Sequence, residues 1–146
     1  MTAGYQTANT EPQSLSSTTK WFNDHQQGRY NIYVYCVNNN VVAWCLFSPY
    51  YNREATSHTS EISKYIHKDF QGRDIGSVLI EFLLKKAPTL NFEVLFATVI
   101  CANKHSVALL KKYGFSLWGK VKYSVKYANQ RFDILYYGKD IRSHNK

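Results

Sequence analysis

The chain has 146 residues, of which 45% are hydrophobic; this is enough for one domain with a buried core and excludes a wholly disordered protein. It lacks an apolar run of membrane-spanning length, a secretory signal pattern and the cysteine spacing of a metal site, so we expect a soluble, cytoplasmic protein with reduced thiols and no membrane partner. The net charge of +8 arises entirely in residues 101–146, which fits either a polyanionic partner or a solvated basic face.

The first part of the chain is polar and rich in Ser, Thr and Gln. Residues 1–16 are predicted to form an irregular N-terminal arm, so that the single domain spans residues 17–146. A short helix is predicted to run to about Gln27, with Trp21 and Phe22 on one side.

Two apolar segments separated by three asparagines predict a β-hairpin. The strands cover residues 31–37 and about 41–50, and the turn covers residues 38–40. Cys36 and Cys45 lie in these strands, where we expect them to be buried thiols.

A strand, a helix and a second strand are predicted next. Residues 60–67 alternate as a strand, and a helix runs from about residue 75 to residue 86, with Pro88 just past its end. Residues 93–101 are almost continuously apolar, as expected of a strand covered on both faces. The apolar stripe predicted on the helix is formed by Val78, Leu79, Phe82 and Leu83.

The last elements are a short helix and a hairpin. The helix covers residues 104–113 and is closed by Gly114, and the strands cover residues 121–127 and 131–138. Helices and strands that alternate in the middle of a chain flanked by hairpins indicate a mixed α/β sheet.

The junction at residues 66–77 has the pattern of a phosphate-binding loop. A strand leads into a glycine-containing turn that opens a helix, where unpaired amides and the helix dipole favour a pyrophosphate. Gly72 and Gly76 allow a ligand to approach the backbone closely. A glycine turn shaped only for packing would give the same local pattern.

The order of these motifs resembles the GNAT acetyltransferases. QGRDIG matches their Q/R-x-x-G-x-G/A loop at all but one position, and NKHSVALLKKYGF matches their later N-x-x-S element, which ends in Gly-Phe. The stretch SPYYNREATSHTSEISKYI and the tail KYANQRFDILYY resemble the phosphinothricin acetyltransferase-like branch. The resemblance covers roughly residues 10–141.

The resemblance implies a mixed, mostly antiparallel twisted sheet flanked by helices, with acetyl-coenzyme A (acetyl-CoA) as cosubstrate between two parallel strands that splay apart. It implies that the pantetheine pairs along one of these strands, that loop amides bind the pyrophosphate, and that Asn103 and Ser106 contact the pantetheine arm or the acetyl end. The implied cofactor-binding residues are Lys64, Tyr65, Ile66, Gln71, Gly72, Arg73, Asp74, Ile75, Gly76, Ser77, Asn103 and Ser106.

Glu61 matches the family's catalytic acidic position. A carboxylate there suits the reaction because an amine attacks a thioester only as its free base. An exposed strand carboxylate without a catalytic role is the alternative. The resemblance also implies that Tyr50, Arg53 and Glu61 contact the acceptor, and Arg53 suits a substrate carboxylate.

Three departures from the family pattern bear on function. Asp74 stands where the phosphate loop usually has glycine; its carboxylate opposes the pyrophosphate, although it suits a left-handed N-cap. Leu110 stands where the family often has Tyr or His to protonate the departing thiolate, a role that Tyr113, Tyr123, Tyr127 or water would have to take. The family's first strand and helix are expected to be missing or shortened, and a bare strand edge would favour a homodimer.

The predicted function is therefore transfer of the acetyl group of acetyl-CoA to the primary amine of a small amino-acid-like acceptor of phosphinothricin or methionine-derivative type, by direct attack. Two alternatives remain at this level. One is a GNAT-fold protein without catalysis, and the other is a basic nucleic-acid-binding domain, although no RNA-recognition signature is present.

Overall fold

A six-stranded sheet and two helices make up the part of the chain that the computed structural model describes, residues 28–51 and 53–142. Short 3-10 turns at Glu54–Thr56 and Lys68–Phe70 flank the third strand. The strands are β1 (Ile32–Val37), β2 (Asn40–Pro49), β3 (Thr59–Ile66), β4 (Val94–Ile100), β5 (Ser116–Tyr127) and β6 (Gln130–Asp140), and the helices are α1 (Ile75–Thr89) and α2 (Lys104–Lys112).

The strand order is β1-β2-β3-β4-β6-β5, and every neighbouring pair is antiparallel except β3 with β4. The predicted mixed, mostly antiparallel sheet flanked by helices is therefore confirmed. The parallel pair arises because α1 connects β3 to β4 and returns the chain to the same end of the sheet.

The parallel strands separate after a short contact. Only Thr59–Glu61 of β3 pairs with Val94–Phe96 of β4, although β3 continues to Ile66 and β4 to Ile100. The unpaired ends leave a split in the middle of the sheet, as the resemblance implied, and the split opens towards the N-terminus of α1.

One face of the sheet packs against α1 and forms the core. Phe47 and Leu95 from the sheet and Leu83 from the helix are each 0% exposed. The apolar stripe predicted on this helix is wrong for two of its four residues, since Val78 and Phe82 are 45% and 38% exposed. The buried stripe of α1 is rotated towards Ile75, Gly76, Leu79, Ile80, Leu83 and Ala87.

Two element boundaries differ from prediction. Helix α1 extends to Thr89 and contains Pro88 in its last turn. The helix end is closed there by two backbone hydrogen bonds of 3.0 Å, in which Leu90 donates to Ala87 and Asn91 donates to Pro88. Strand β5 begins at residue 116 instead of 121. In its early part the ring of Trp118 lies over Gly138 of β6, and a Cβ at that glycine would be 1.9 Å from the ring.

The predicted turns are present. Asn38 and Asn39 have φ values of 51° and 67°, the left-handed geometry of a tight hairpin turn that asparagine tolerates, and Gly114 (φ 87°) closes α2. Cys45 is buried as expected, but Cys36 is exposed because it faces outward from the edge strand β1.

The predicted N-terminal arm, the helix with Trp21 and Phe22, and the shortened first strand and helix all lie outside the described residues. Within residues 28–51 and 53–142, no helix combines the length and the hydrophobicity of a transmembrane span. The same part of the chain contains no cluster of His, Cys, Asp or Glu able to hold a metal ion.

Candidate active site

The loop between β3 and α1 is shaped by two left-handed residues. Gly72 has φ 79° and Asp74 has φ 60°, and these conformations turn the chain from the strand into the helix. The side-chain amide of Gln71 donates to the backbone oxygen of Ile66 (3.2 Å), which holds the loop against the end of β3.

Asp74 is the N-cap residue of α1, yet its side chain accepts no hydrogen bond from the helix. The left-handed conformation and the N-cap position considered for Asp74 are therefore confirmed, whereas the capping hydrogen bond from its side chain is absent. The first-turn amides of Ile75, Gly76 and Ser77 have no intrahelical partner by helix geometry, and they remain available to a ligand. Together with the helix dipole, they fit a pyrophosphate.

The facing wall is the first turn of α2. Asn103 caps this helix by accepting a hydrogen bond from the backbone amide of Ser106 (3.2 Å). The two helices approach closely at Gly76, where an added Cβ would lie 2.9 Å from Leu109 Cδ2. A side chain at this position would push α1 and α2 apart or displace Leu109.

These elements enclose a cleft of about 440 Å³, a size typical of small-molecule sites. Every predicted cofactor-binding residue except Arg73 lines it, and His105 and Leu109, which were not predicted, line it as well. The sequence signal for both was their spacing: His105 precedes Ser106 in the first turn, and Leu109 follows Ser106 at i+3 on the same helix face. The cleft is lined by Lys64, Tyr65, Ile66, Gln71, Gly72, Asp74, Ile75, Gly76, Ser77, Asn103, His105, Ser106 and Leu109.

Arg73 points elsewhere. Its guanidinium carbon lies 4.9 Å from the centre of the Phe70 ring, a cation–π contact at the protein surface. Its side chain therefore packs outside the cleft, and only its backbone belongs to the loop.

Lys64 is partly buried on β3, beside the buried Cys45 of β2. Its side chain belongs to the sheet face that carries Ile62, the face covered by α1. Burial lowers the pKa of this lysine.

Glu61 lies at the closed end of the split, on the sheet face opposite Lys64. Its backbone makes the last parallel pair, with Phe96, and its carboxylate accepts a hydrogen bond from the Thr98 hydroxyl (2.9 Å). Ser63 and Tyr65 share its face, as predicted from the alternation of β3. The partly buried carboxylate is thus oriented by a residue of the neighbouring strand at the point where β3 and β4 separate.

Aromatic rings surround this end of the split. Tyr50 packs edge-on against Phe96 with ring centres 5.2 Å apart, and it also contacts Tyr51 at 4.4 Å. Phe96 in turn lies 6.3 Å from Tyr136. The strand pairing of Phe96 with Glu61 therefore brings Tyr50 to the neighbourhood of the carboxylate.

Arg53 lies at the start of the turn Glu54–Thr56 and is exposed. Its backbone oxygen accepts hydrogen bonds from the amide and hydroxyl of Thr56 (3.2 and 3.1 Å). Its guanidinium pairs with no carboxylate of residues 28–51 or 53–142, so its predicted role at the acceptor stays a prediction.

The residues considered for protonating the thiolate do not line the cleft. Leu110 is 3% exposed and belongs to the core. The Tyr113 hydroxyl donates to the Glu81 carboxylate of α1 (2.8 Å), and Tyr123 and Tyr127 belong to the β5 strand at the far edge of the sheet.

The Tyr113→Phe variant is expected to keep kcat within about twofold of the unmodified protein, since its hydroxyl is bonded to Glu81 and not to the cleft. It should lose about 0.5–1 kcal/mol of unfolding free energy with that exposed hydrogen bond. Urea unfolding and steady-state kinetics on the same preparation measure both quantities. A kcat that falls tenfold or more without further loss of stability would instead indicate that Tyr113 protonates the departing thiolate.

The sequence and the fold were compared with known proteins. The model of the Acetyltransferase (GNAT) family matches residues 2–115. A Bacillus subtilis protein named "Putative phosphinothricin acetyltransferase YwnH" is 33% identical over 92% of this chain and 83% of its own length. The L-methionine sulfoximine/L-methionine sulfone acetyltransferase of Pseudomonas aeruginosa is 25% identical over 77% of this chain and 66% of its own length.

A solved structure extends the likeness to the whole fold. The phosphinothricin acetyltransferase from Sinorhizobium meliloti, determined in complex with acetyl-CoA, superposes with a TM-score of 0.88 over 94% of this chain and 75% of its own, at 24% identity. The family model, the relatives and the split sheet with its glycine-containing loop agree. This chain therefore belongs to the GNAT acetyltransferase family and is an acetyl-CoA-dependent N-acetyltransferase.

Proposed function

We propose that the acceptor is the primary amine of a small amino-acid-like molecule of phosphinothricin or methionine-derivative type. Two relatives support this class of acceptor, because their names specify such compounds; one is from Bacillus subtilis and the other from Pseudomonas aeruginosa. The aromatic rings beside Glu61 suit the short apolar part of such a molecule, and the carboxylate of Glu61 suits the amine of that molecule.

The acetyl-CoA is proposed to bind along the cleft, and the residues present suit each part of it. The uncapped first turn of α1 offers amides to the pyrophosphate, and the free edge of β3 at Lys64, Tyr65 and Ile66 offers backbone groups to the pantetheine. Asn103 and Ser106 add polar groups on the opposite wall. The cosubstrate supplies an activated thioester, and the protein supplies orientation and proton transfer.

Glu61 is proposed as the general base. The observation that carries this role is the hydrogen bond from Thr98, which holds one carboxylate oxygen at the closed end of the split and leaves the other for the incoming amine or a bridging water. The amine loses a proton to Glu61, attacks the thioester carbon directly, and releases CoA without a covalent enzyme intermediate.

Tyr50 and Arg53 are proposed to complete the acceptor site. The edge-on contact of Tyr50 with Phe96 supports a position near the amine, whereas Arg53 is exposed and unpaired with any described carboxylate, so it is free to bind the acceptor's carboxylate.

The test of cosubstrate binding is thermal unfolding with and without acetyl-CoA near millimolar concentration. Ligand at about 100 times its Kd should add about 2.7 kcal/mol, which raises the Tm by several degrees. A saturable rise would be followed by a screen of amino-acid amines, including L-phosphinothricin and L-methionine sulfone, for CoA release. An unchanged Tm in a cooperatively unfolding sample would contradict the proposed binding of acetyl-CoA in this cleft.

We also propose a cytoplasmic homodimer. Cys36, Cys45 and Cys101 are all free thiols, which suits a reducing compartment. Exposed large side chains on the edge strand β5, such as Trp118 at 54% and Tyr123 at 65%, support association with a second copy.

A further inference from the structure

Thr98 lies on β4 just beyond the residues of that strand that pair with β3. Phe96 makes the last of those pairs, with Glu61, and Thr98 is the next residue of β4 on the same sheet face. Thr98 is exposed there, and its hydroxyl donates a hydrogen bond of 2.9 Å to the Oε2 atom of Glu61. A bond between side chains therefore joins β3 and β4 at the point where their backbones stop pairing.

This bond limits the positions that the Glu61 carboxylate can take. A glutamate side chain has several rotatable bonds, and a carboxylate that nothing holds is spread over several rotamers. A hydroxyl that donates to a charged carboxylate makes a stronger bond than one between neutral groups. Threonine suits this task because its β-branched side chain is itself stiff. Tyr136 lies directly across from Thr98 on β6 and occupies the same face beside it.

The position of the carboxylate matters because of the chemistry proposed for it. A general base must lie within hydrogen-bond reach of the proton that it removes, and a misplacement of about 1 Å can lower the rate about a hundredfold. Thr98 occupies Oε2 from the side of β4, so Oε1 is the atom available to the acceptor amine. Rotation of an unheld Glu61 would move Oε1 away from that amine.

We propose that Thr98 is a positioning residue for acetyl transfer, and that it acts through Glu61 alone. The inference rests on the proposed role of Glu61 as the general base. Thr98 keeps its own proton throughout the reaction and fixes the orientation of the carboxylate from the opposite strand of the split. The alternative is a bond that only fastens β3 to β4, which would affect the stability of the protein and leave the rate unchanged.

The first test is Thr98→Val, which removes the hydroxyl and keeps the branched shape of the side chain. With L-phosphinothricin or L-methionine sulfone as acceptor, whichever reacts faster, kcat should fall about tenfold. The KM for acetyl-CoA should stay unchanged, because Thr98 is not among the cleft-lining residues. Thr98→Ser restores the donor, so its kcat should return to within about twofold of that of the unmodified protein.

Thr89→Val is the matched control. The Thr89 hydroxyl donates to the backbone oxygen of Lys86 (2.6 Å) at the end of α1, so the substitution makes the same chemical change away from the cleft. Its kcat should equal that of the unmodified protein. An undiminished kcat in Thr98→Val, or a kcat that Thr98→Ser fails to restore, would overturn the proposal.

A double-mutant cycle with Glu61→Gln tests whether Thr98 acts through the base. Residues that act as a unit have non-additive effects on the rate. Adding Thr98→Val to the Glu61→Gln protein should therefore change kcat by less than about twofold, although the same change costs about tenfold in the unmodified protein. An equal loss in both backgrounds would mean that Thr98 affects the rate independently of Glu61, which contradicts the proposal.

The same cycle separates this proposal from the proposed function. If Glu61→Gln lowers kcat but Thr98→Val does not, the positioning role fails and Glu61 remains the base; if neither lowers kcat, both fail. A crystal structure of the Thr98→Val protein gives a readout that needs no acceptor. The Glu61 carboxylate should leave the position that it has beside Thr98, and an unchanged rotamer would overturn the positioning role.

Discussion

The Glu61→Gln variant is expected to lower kcat about a hundredfold to a thousandfold with any amine that the protein acetylates. Gln can still accept the hydrogen bond from Thr98, so the strand geometry at the closed end of the split should survive. What it loses is the ability to take a proton from the amine. Steady-state kinetics should show a fall in kcat with an almost unchanged KM for acetyl-CoA, because the cleft residues are not altered.

Glu81→Gln is the matched control for this prediction. It makes the same chemical change on the exposed surface of α1, where Glu81 accepts a hydrogen bond from Tyr113 away from the cleft. Its kcat should match that of the unmodified protein. Equal activity of the two variants would rule out Glu61 as the base and leave the hydrogen bond to Thr98 as a structural contact.

The Asp74→Asn variant is expected to bind acetyl-CoA about tenfold more tightly than the unmodified protein. In the proposed binding mode Asp74 lies beside the pyrophosphate. Its carboxylate lines the cleft without accepting a capping hydrogen bond from α1, so its charge would oppose the pyrophosphate without a compensating bond. Removing one exposed negative charge beside the phosphates is worth about 1–1.5 kcal/mol. Asn tolerates the left-handed conformation (φ 60°), so the loop should keep its shape.

Asp69→Asn is the control, since it removes a neighbouring carboxylate that does not line the cleft. Isothermal titration at low and high salt measures both variants. The advantage of Asp74→Asn should shrink at high salt, because the repulsion is partly screened. Without ligand, Asp74→Asn should be less stable by about 0.3–1 kcal/mol, because a negative charge at a helix N-terminus is lost. Unchanged affinity would mean that the pyrophosphate lies away from this carboxylate.

Local chemistry in the sequence predicted the turns and most of the cleft. Asn38 and Asn39 take the left-handed geometry that asparagine tolerates, and Gly114 ends its helix where a residue with positive φ is needed. The glycine loop before α1 and the Asn103 cap of α2 depend on short-range hydrogen bonds and helix geometry, which neighbouring residues determine.

The sequence pattern was less reliable where packing sets the outcome. Phe82 and Leu83 are both apolar, and only the position of the sheet decides that Leu83 enters the core while Phe82 lies outside against Tyr33. The early part of β5 has no clear strand pattern, yet it pairs with β6 through an irregularity at Trp118, whose ring lies over Gly138 of that neighbouring strand. Such choices depend on contacts between distant residues.

The sequence by itself predicted the order of elements, and its motifs QGRDIG and NKHSVALLKKYGF carried the resemblance to the family, because both depend on residues that are close together along the chain. Only the tertiary structure decided what the side chains do. It showed that Asp74 leaves the first turn of α1 uncapped, that Tyr113 bonds to Glu81, and that Thr98 orients Glu61 from a strand 37 residues away. The physical reason is that hydrogen bonding and desolvation depend on which groups the sheet brings together, whatever their separation in sequence.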